Sequence, residues 1–141
     1  MDFLLPTWLV HAIIIAALLV ATYTDIKKRE VPDMLNYSLI GLGVAAGLLA
    51  SVFSTTIWPL LNALAGLALG YLVGALMFYA GQWGGGDAKM LMGIGALQGL
   101  SIPLILDGLV PPLASIIVTI FVMGAMYGLV YILFLVVKKW P

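Results

Sequence analysis

The chain has 141 residues, of which 64% are hydrophobic and 9% are charged, whereas a typical soluble domain carries about a quarter charged residues. This composition excludes a soluble globular enzyme and a disordered chain, and it indicates an integral membrane protein. The six basic and six acidic residues cancel, so the sequence offers no basic surface for nucleic acid. Because the chain has no cysteine, disulfides, thiol nucleophiles and cysteine-ligated zinc or iron–sulfur sites are excluded.

Five continuous apolar runs have the length of a transmembrane helix, which needs about 20 residues to cross a hydrocarbon core about 30 Å thick. The runs do not alternate between apolar and polar residues, and they therefore favour helices over strands. The predicted spans cover residues 4–23, 36–53, 57–79, 88–106 and 113–137. We predict an all-α polytopic helix bundle that forms a single transmembrane domain over residues 1–141.

The basic residues orient this bundle. With the N-terminus outside and the C-terminus in the cytoplasm, all six fall on the cytoplasmic side, as the positive-inside rule requires. They are Lys27, Lys28, Arg29, Lys89, Lys138 and Lys139. The outer ends carry Asp2 and Asp107. The start of the chain does not resemble a cleaved signal peptide, because Met1 is followed by an acidic residue and the positive cluster comes after the apolar run.

Small residues predict where the helices pack, because they let backbones approach closely in lipid, which provides no hydrophobic drive between helices. Glycines recur at four-residue spacing in four of the runs, as Gly43/Gly47, Gly66/Gly70/Gly74, Gly95/Gly99 and Gly124/Gly128. Asn62 lies on the stripe of the third run and is predicted to form an interhelical hydrogen bond. His11, near the middle of the first run, is predicted to face the bundle as a hydrogen-bonding residue.

Four acidic residues fall on the predicted cytoplasmic side, namely Asp25, Glu30, Asp33 and Asp87. Asp25 directly follows the first run, and Asp87 opens the fourth run after Gly84, Gly85 and Gly86. Carboxylates at the membrane are costly, which makes these two candidates for function. Hydrolysis of a peptide without a metal or a covalent nucleophile needs one carboxylate to activate water and a second, protonated one to polarise the carbonyl. Two carboxylates in one site share one proton, and the exposed glycine backbone beside Asp87 can hold an extended peptide.

The sequence leaves two other functions open. A small transporter or proton-conducting bundle would use Asp25 and Asp87 as ion sites, although such charges usually lie near the middle of the membrane on broken helices of related repeats. A scaffold subunit of a secretion machine would not need a matched pair of aspartates. A single histidine without cysteine does not provide the usual ligand set of a transition metal, so we predict no metal and no other cofactor.

The two acidic segments resemble those of type IV prepilin peptidases and archaeal preflagellin peptidases, which are membrane aspartyl proteases with a Gly-x-Gly-Asp motif. In that family an aspartate just after a transmembrane helix is followed by basic residues and an Ile/Val-Pro-Asn/Asp turn. Here the segment from Asp25 to Asp33 reads DIKKREVPD. The second family element continues with x-Lys, and here the segment from Gly84 to Lys89 reads GGGDAK.

The resemblance implies that Asp25 and Asp87 are catalytic and that the substrate is a pilin-like or archaeal flagellin-like precursor, cut at the cytoplasmic face of a prokaryotic cytoplasmic membrane. The glycine run, Glu30 and Asp33 are then expected to bind the substrate, the acidic pair through a basic leader peptide. Lys89 is expected to be a positive-inside anchor. Larger bacterial members also N-methylate the new terminus and carry Cys-x-x-Cys motifs, so the absence of cysteine here predicts a peptidase alone. The predicted partners are the precursor and the lipid bilayer, and a homo-oligomer stays open.

Overall fold

Six helices account for most of the structure, a computed structural model that describes residues 6–139 without the side chains of residues 103, 104 and 139. They are α1 (Thr7–Lys28), α2 (Asp33–Ser54), α3 (Trp58–Tyr79), α4 (Gly85–Gln98), α5 (Ile102–Leu106) and α6 (Pro112–Lys139). Within the described residues, α1, α2, α3 and α6 are long and apolar enough to cross a membrane, and no strand is present. The predicted all-α membrane bundle is confirmed. Its orientation stays a prediction, and the part of that prediction that rests on Met1 and Asp2 lies outside the described residues.

The fourth predicted span, residues 88–106, is two helices rather than one. α4 ends at Gln98, and the chain then turns because Gly99 and Ser101 take positive φ angles of 66° and 55°. α4 alone is about 21 Å long at 1.5 Å per residue, which is shorter than a hydrocarbon core of about 30 Å. The structure therefore corrects this span to a short helix, a break and a one-turn helix.

A buried asparagine on α3 accepts hydrogen bonds from two backbone N–H groups at this break. The carbonyl oxygen of Asn62 accepts a hydrogen bond from the Leu100 N–H at 2.9 Å, and its Oδ1 accepts one from the Ile102 N–H at 2.7 Å. These two amides lack the acceptor that an unbroken helix would provide. The predicted interhelical hydrogen bond of Asn62 is therefore confirmed, and its partner is backbone.

Glycines bring α3 and α4 into backbone contact. A Cβ atom at Gly66 would lie 2.9 Å from the carbonyl carbon of Gly95, and one at Gly70 would lie 2.5 Å from the carbonyl oxygen of Leu91. Gly74, the third member of the predicted stripe, is also buried. Since a real Cβ essentially never approaches other atoms so closely, only glycine fits this crossing.

α2 completes a three-helix core with α3 and α4. A Cβ at Gly43 would lie 2.5 Å from the backbone of Ala96 on α4, and one at Gly47 would lie 2.8 Å from the Cβ of Ala63 on α3. The predicted packing role of this glycine pair is confirmed, and α4 lies against both neighbours.

α1 and α6 contact the three-helix core over a shorter length. α1 buries Ile14, Ala17 and Ala21, and Leu113 near the start of α6 is fully buried. These residues join an apolar cluster that also contains Val31, Leu39, Met90 and Ile94. Most of the remaining surface of both helices is exposed and apolar, as expected for helices that face lipid.

Two packing predictions are wrong among the described residues. No atom lies within 4 Å of a Cβ placed at Gly124 or Gly128, so this pair packs against nothing in the described chain. His11 is exposed and forms no hydrogen bond with a described residue. The face of α1 that packs against the core contains Val10 and Ile14. His11 lies outside this face.

Candidate active site

An acidic cavity of about 360 Å³ lies at the end of the bundle where α1 and α3 end and α2 and α4 begin. Its lining residues are Asp25, Arg29, Glu30, Val31, Asp33, Gly84, Gly85, Gly86, Asp87 and Lys89. The cavity thus brings together every site residue that the sequence predicted. Four acidic and two basic side chains give it a formal charge of minus two, which favours cationic ligands.

Asp25 lies in the last turn of α1. The helix ends because Arg29 adopts the left-handed conformation, with a φ of 55°, and its N–H donates to the Asp25 carbonyl oxygen at 2.7 Å. This hydrogen bond belongs to the backbone of Asp25, whose side chain is exposed at the cavity. The turn at Arg29 therefore places the Asp25 carboxylate where the chain leaves α1 for α2.

Asp87 lies in the first turn of α4, and its Oδ2 accepts a hydrogen bond from the Gly84 N–H at 3.1 Å. In a capping box, the side chain of the third helical residue accepts a hydrogen bond from the backbone N–H of the N-cap residue. Asp87 and Gly84 form this contact. The amide dipoles at a helix N-terminus also favour a negative charge. The start of α4 therefore orients the Asp87 carboxylate.

The glycine turn before Asp87 packs against the beginning of α2. A Cβ at Gly86 would lie 3.0 Å from the Cβ of Val31, so glycine permits this close approach. The Nδ2 of Asn36 donates to the carbonyl oxygen of Gly86 at 3.2 Å. These contacts connect the segment that follows Asp25 to the segment that contains Asp87.

An ion pair links the same two segments. The Lys89 Nζ lies 2.6 Å from Oδ1 of Asp33 and 5.4 Å from the centroid of the Tyr37 ring. The Asp33 carboxylate, predicted to meet a basic leader, is therefore already paired within the chain. Glu30 is exposed, and it has no ion pair or hydrogen bond with a described residue.

Sequence reasoning missed the contribution of Val31 and Asn36 to this site. In the sequence, Val31 is part of a turn motif and Asn36 is the first residue of an apolar run, and neither pattern indicates a role in the site. The amide of Asn36 could have indicated a structural role, since a polar side chain in an apolar run is costly to bury unless it has a hydrogen-bond partner.

A second, apolar groove of about 300 Å³ adjoins the acidic cavity between α1, α4 and α6. Its lining residues are Leu18, Trp83, Asp87, Met90, Leu91, Ile94 and Ile120. Asp87 lines both spaces. In the part of the chain that the structure describes, no three His, Asp or Glu side chains are grouped to hold a metal ion.

Several archaeal proteins are similar to this chain. The preflagellin peptidase of Methanococcus voltae is 40% identical over 90 residues, which cover 62% of this chain and 37% of that protein. The preflagellin peptidase of Methanococcus maripaludis is 35% identical over 80 residues, 57% of this chain and 34% of the relative. The chain spans about a third of the length of these curated relatives. No solved structure gives a significant match.

The sequence profile of the type IV leader peptidase family matches residues 12–133. This match extends from the first third of α1 to the last third of α6, and it includes both aspartates and the glycine turn. The chain therefore belongs to the type IV leader peptidase family.

Proposed function

We propose that this protein is an aspartic endopeptidase of the prokaryotic cytoplasmic membrane, with Asp25 and Asp87 as its catalytic pair. It would remove the leader peptide of type IV pilin-like or archaeal flagellin-like precursors at the cytoplasmic face. The observation that carries the proposal is that both aspartates line one cavity, although they lie on different helices and 62 positions apart in the sequence. The family and the similarity to preflagellin peptidases support it.

The proposed reaction is acid–base hydrolysis of one peptide bond. One carboxylate, ionised, takes a proton from water as the water oxygen bonds to the carbonyl carbon, while the other, protonated, donates a hydrogen bond to the carbonyl oxygen. The C–N bond then breaks, and the leaving nitrogen receives a proton from the pair. Two carboxylates that share one proton provide the acid and the base together.

The two neighbouring spaces suggest how a precursor lies across the site. A bond cut at Asp87 would have the acidic cavity on one side and the apolar groove on the other, because Asp87 lines both. A basic leader suits the first space by charge, and an apolar segment suits the second. The N–H of Gly85, in the exposed first turn of α4, offers a hydrogen-bond donor to an extended segment between them, because the first amides of a helix have no acceptor within it.

The direct test is incubation of the purified chain, in detergent or liposomes, with a Methanococcus preflagellin that carries its leader. We choose this substrate because the chain is similar to preflagellin peptidases. We expect a single cut, identified by mass spectrometry, that separates the leader from the rest. A folded chain that leaves the precursor intact while its liposomes conduct protons would favour the transporter hypothesis instead.

Glu30→Gln is expected to weaken binding of the leader. Glu30 is exposed at the acidic cavity, so removal of its charge should raise KM by about two- to fivefold, as for one exposed ion pair, and leave kcat nearly unchanged. The difference should shrink at high salt because such pairs are screened. Asp107→Asn, at the far end of the bundle, is the matched control. Equal KM values for Glu30→Gln and the parent at low salt would exclude Glu30 from leader binding.

The proposed orientation can be tested with single cysteines, because the chain contains none. Gln82→Cys and Asp107→Cys introduce a thiol at exposed positions before and after the α4–α5 segment. In intact cells, a membrane-impermeant thiol reagent should label Asp107→Cys and should label Gln82→Cys only after the cells are opened. The reverse pattern would place the acidic cavity on the outer face.

A further inference from the structure

A fully buried amide lies directly behind the turn that carries Asp87. Asn36, in the first turn of α2, has 0% of its surface exposed. Its Nδ2 donates to the carbonyl oxygen of Gly86 at 3.2 Å. Gly86 immediately precedes Asp87, so this bond connects α2 to the backbone of a candidate catalytic residue.

This hydrogen bond is poorly explained by stability alone. The Oδ1 of Asn36 is buried and has no hydrogen-bond partner among the described residues, and burial of an acceptor without a partner is unfavourable. The Gly86 carbonyl lies inside α4, where helical geometry directs it to the N–H of Met90 as well. A leucine of similar shape would fill the same space without an unsatisfied oxygen. What the amide adds is a direct link that determines where Gly86 lies.

Two other contacts join the same segments. Val31 packs on Gly86, where a Cβ would lie 3.0 Å from the Val31 Cβ, and Lys89 pairs with Asp33 at 2.6 Å. Val31, Asp33 and Asn36 lie on the stretch of chain that leaves α1 just after Asp25. The place of Asp87 relative to Asp25 therefore depends on how the beginning of α2 holds the glycine turn.

We propose that Asn36 is a positioning residue, which holds Gly86 so that Asp87 faces the acidic cavity together with Asp25. The inference rests on the proposed function, because it assigns to Asn36 a part in the same catalytic geometry. Asn36 does not itself touch the substrate, since none of its surface is exposed.

The test compares Asn36→Leu with Asn62→Leu. Asn62 is also buried and bonded to backbone, but at the other end of the core, where its Oδ1 accepts from the Ile102 N–H. We expect Asn36→Leu to melt at the parent temperature or above and to lower kcat at least tenfold, with KM within twofold. Asn62→Leu should show the opposite pattern, a lower melting temperature with the kcat of the folded fraction retained.

A second variant and a second measurement keep the inference testable if Asn36→Leu does not fold. Asn36→Ala removes the amide donor and adds no polar group, and it should lower kcat as well. Amide hydrogen exchange at residues 84–88 should become faster in both Asn36 variants and stay unchanged in Asn62→Leu. If the parent cleaves the precursor and a folded Asn36→Leu keeps its kcat and its exchange rates, the positioning role is excluded and the proposed function stands. If the parent itself does not cleave, the proposed function fails, and the exchange rates alone decide whether Asn36 holds the turn.

Discussion

Replacement of either Asp25 or Asp87 by asparagine should lower the rate of leader cleavage by roughly 10²- to 10⁴-fold, the usual contribution of one general acid or base. The amide of asparagine can neither take a proton from water nor give one to the leaving amine. It keeps the shape of the side chain, and at position 87 its Oδ1 can still accept from the Gly84 N–H. We therefore expect loss of kcat in a folded protein, as shown by unchanged thermal unfolding.

The double variant provides a sharper version of this experiment. If the two aspartates act as one unit, removal of both should cost about as much as removal of either. Asp33→Asn, at the same cavity but paired with Lys89, is the comparison, and it should lower kcat far less than either aspartate variant. Persistent cleavage by a folded Asp25→Asn protein would remove that residue from the mechanism, and the same holds for Asp87→Asn.

Gly66→Ala should destabilise the bundle by about 1–3 kcal/mol, the usual cost of forcing extra atoms into a packed interior. The new methyl group would lie 2.9 Å from the carbonyl carbons of both Gly95 and Gly99. Because these atoms belong to backbone, they cannot move aside as a flexible side chain can. The separation of α3 and α4 would increase, and this loss exceeds the gain of up to about 1 kcal/mol from the better helix propensity of alanine.

Gly124→Ala on α6 is the matched control for this prediction. It makes the same chemical change within a long apolar helix, but no atom lies within 4 Å of the new methyl group among the described residues. Reversible unfolding in mixed micelles should show a loss of stability for Gly66→Ala and an unchanged or slightly higher stability for Gly124→Ala. Equal effects would mean that the glycine contact between α3 and α4 does not limit their approach.

The fold class and the two acidic segments of the candidate site were predictable because both are encoded locally. Apolar runs of membrane length indicate helices without any knowledge of their partners. Asp25 and Asp87 each sit in a short motif at the end of such a run, and the positive-inside rule predicts that both ends lie on one side. The membrane restricts the helix ends to two planes, so the two motifs are expected at the same depth.

The details that were missed depend on partners far away in the sequence. The break between α4 and α5 is accommodated by Asn62, and the acceptor of Asn36 lies 50 residues along the chain. His11 lies in a run that is apolar on all sides, so periodicity does not show which face meets the bundle. The Gly124 pair has the same spacing as the glycines of α3 but no helix opposite it among the described residues.

The unequal packing of the helices has a mechanical consequence. Asp87 belongs to α4, which lies against α2 and α3, whereas Asp25 belongs to α1, which buries only Ile14, Ala17 and Ala21. The α4 side of the acidic cavity is thus packed between two helices, whereas the α1 side is held by fewer contacts within the protein. We therefore expect bilayer thickness to change the spacing of the two carboxylates through the tilt of α1. In liposomes of graded chain length, turnover should vary while the three-helix core keeps its stability.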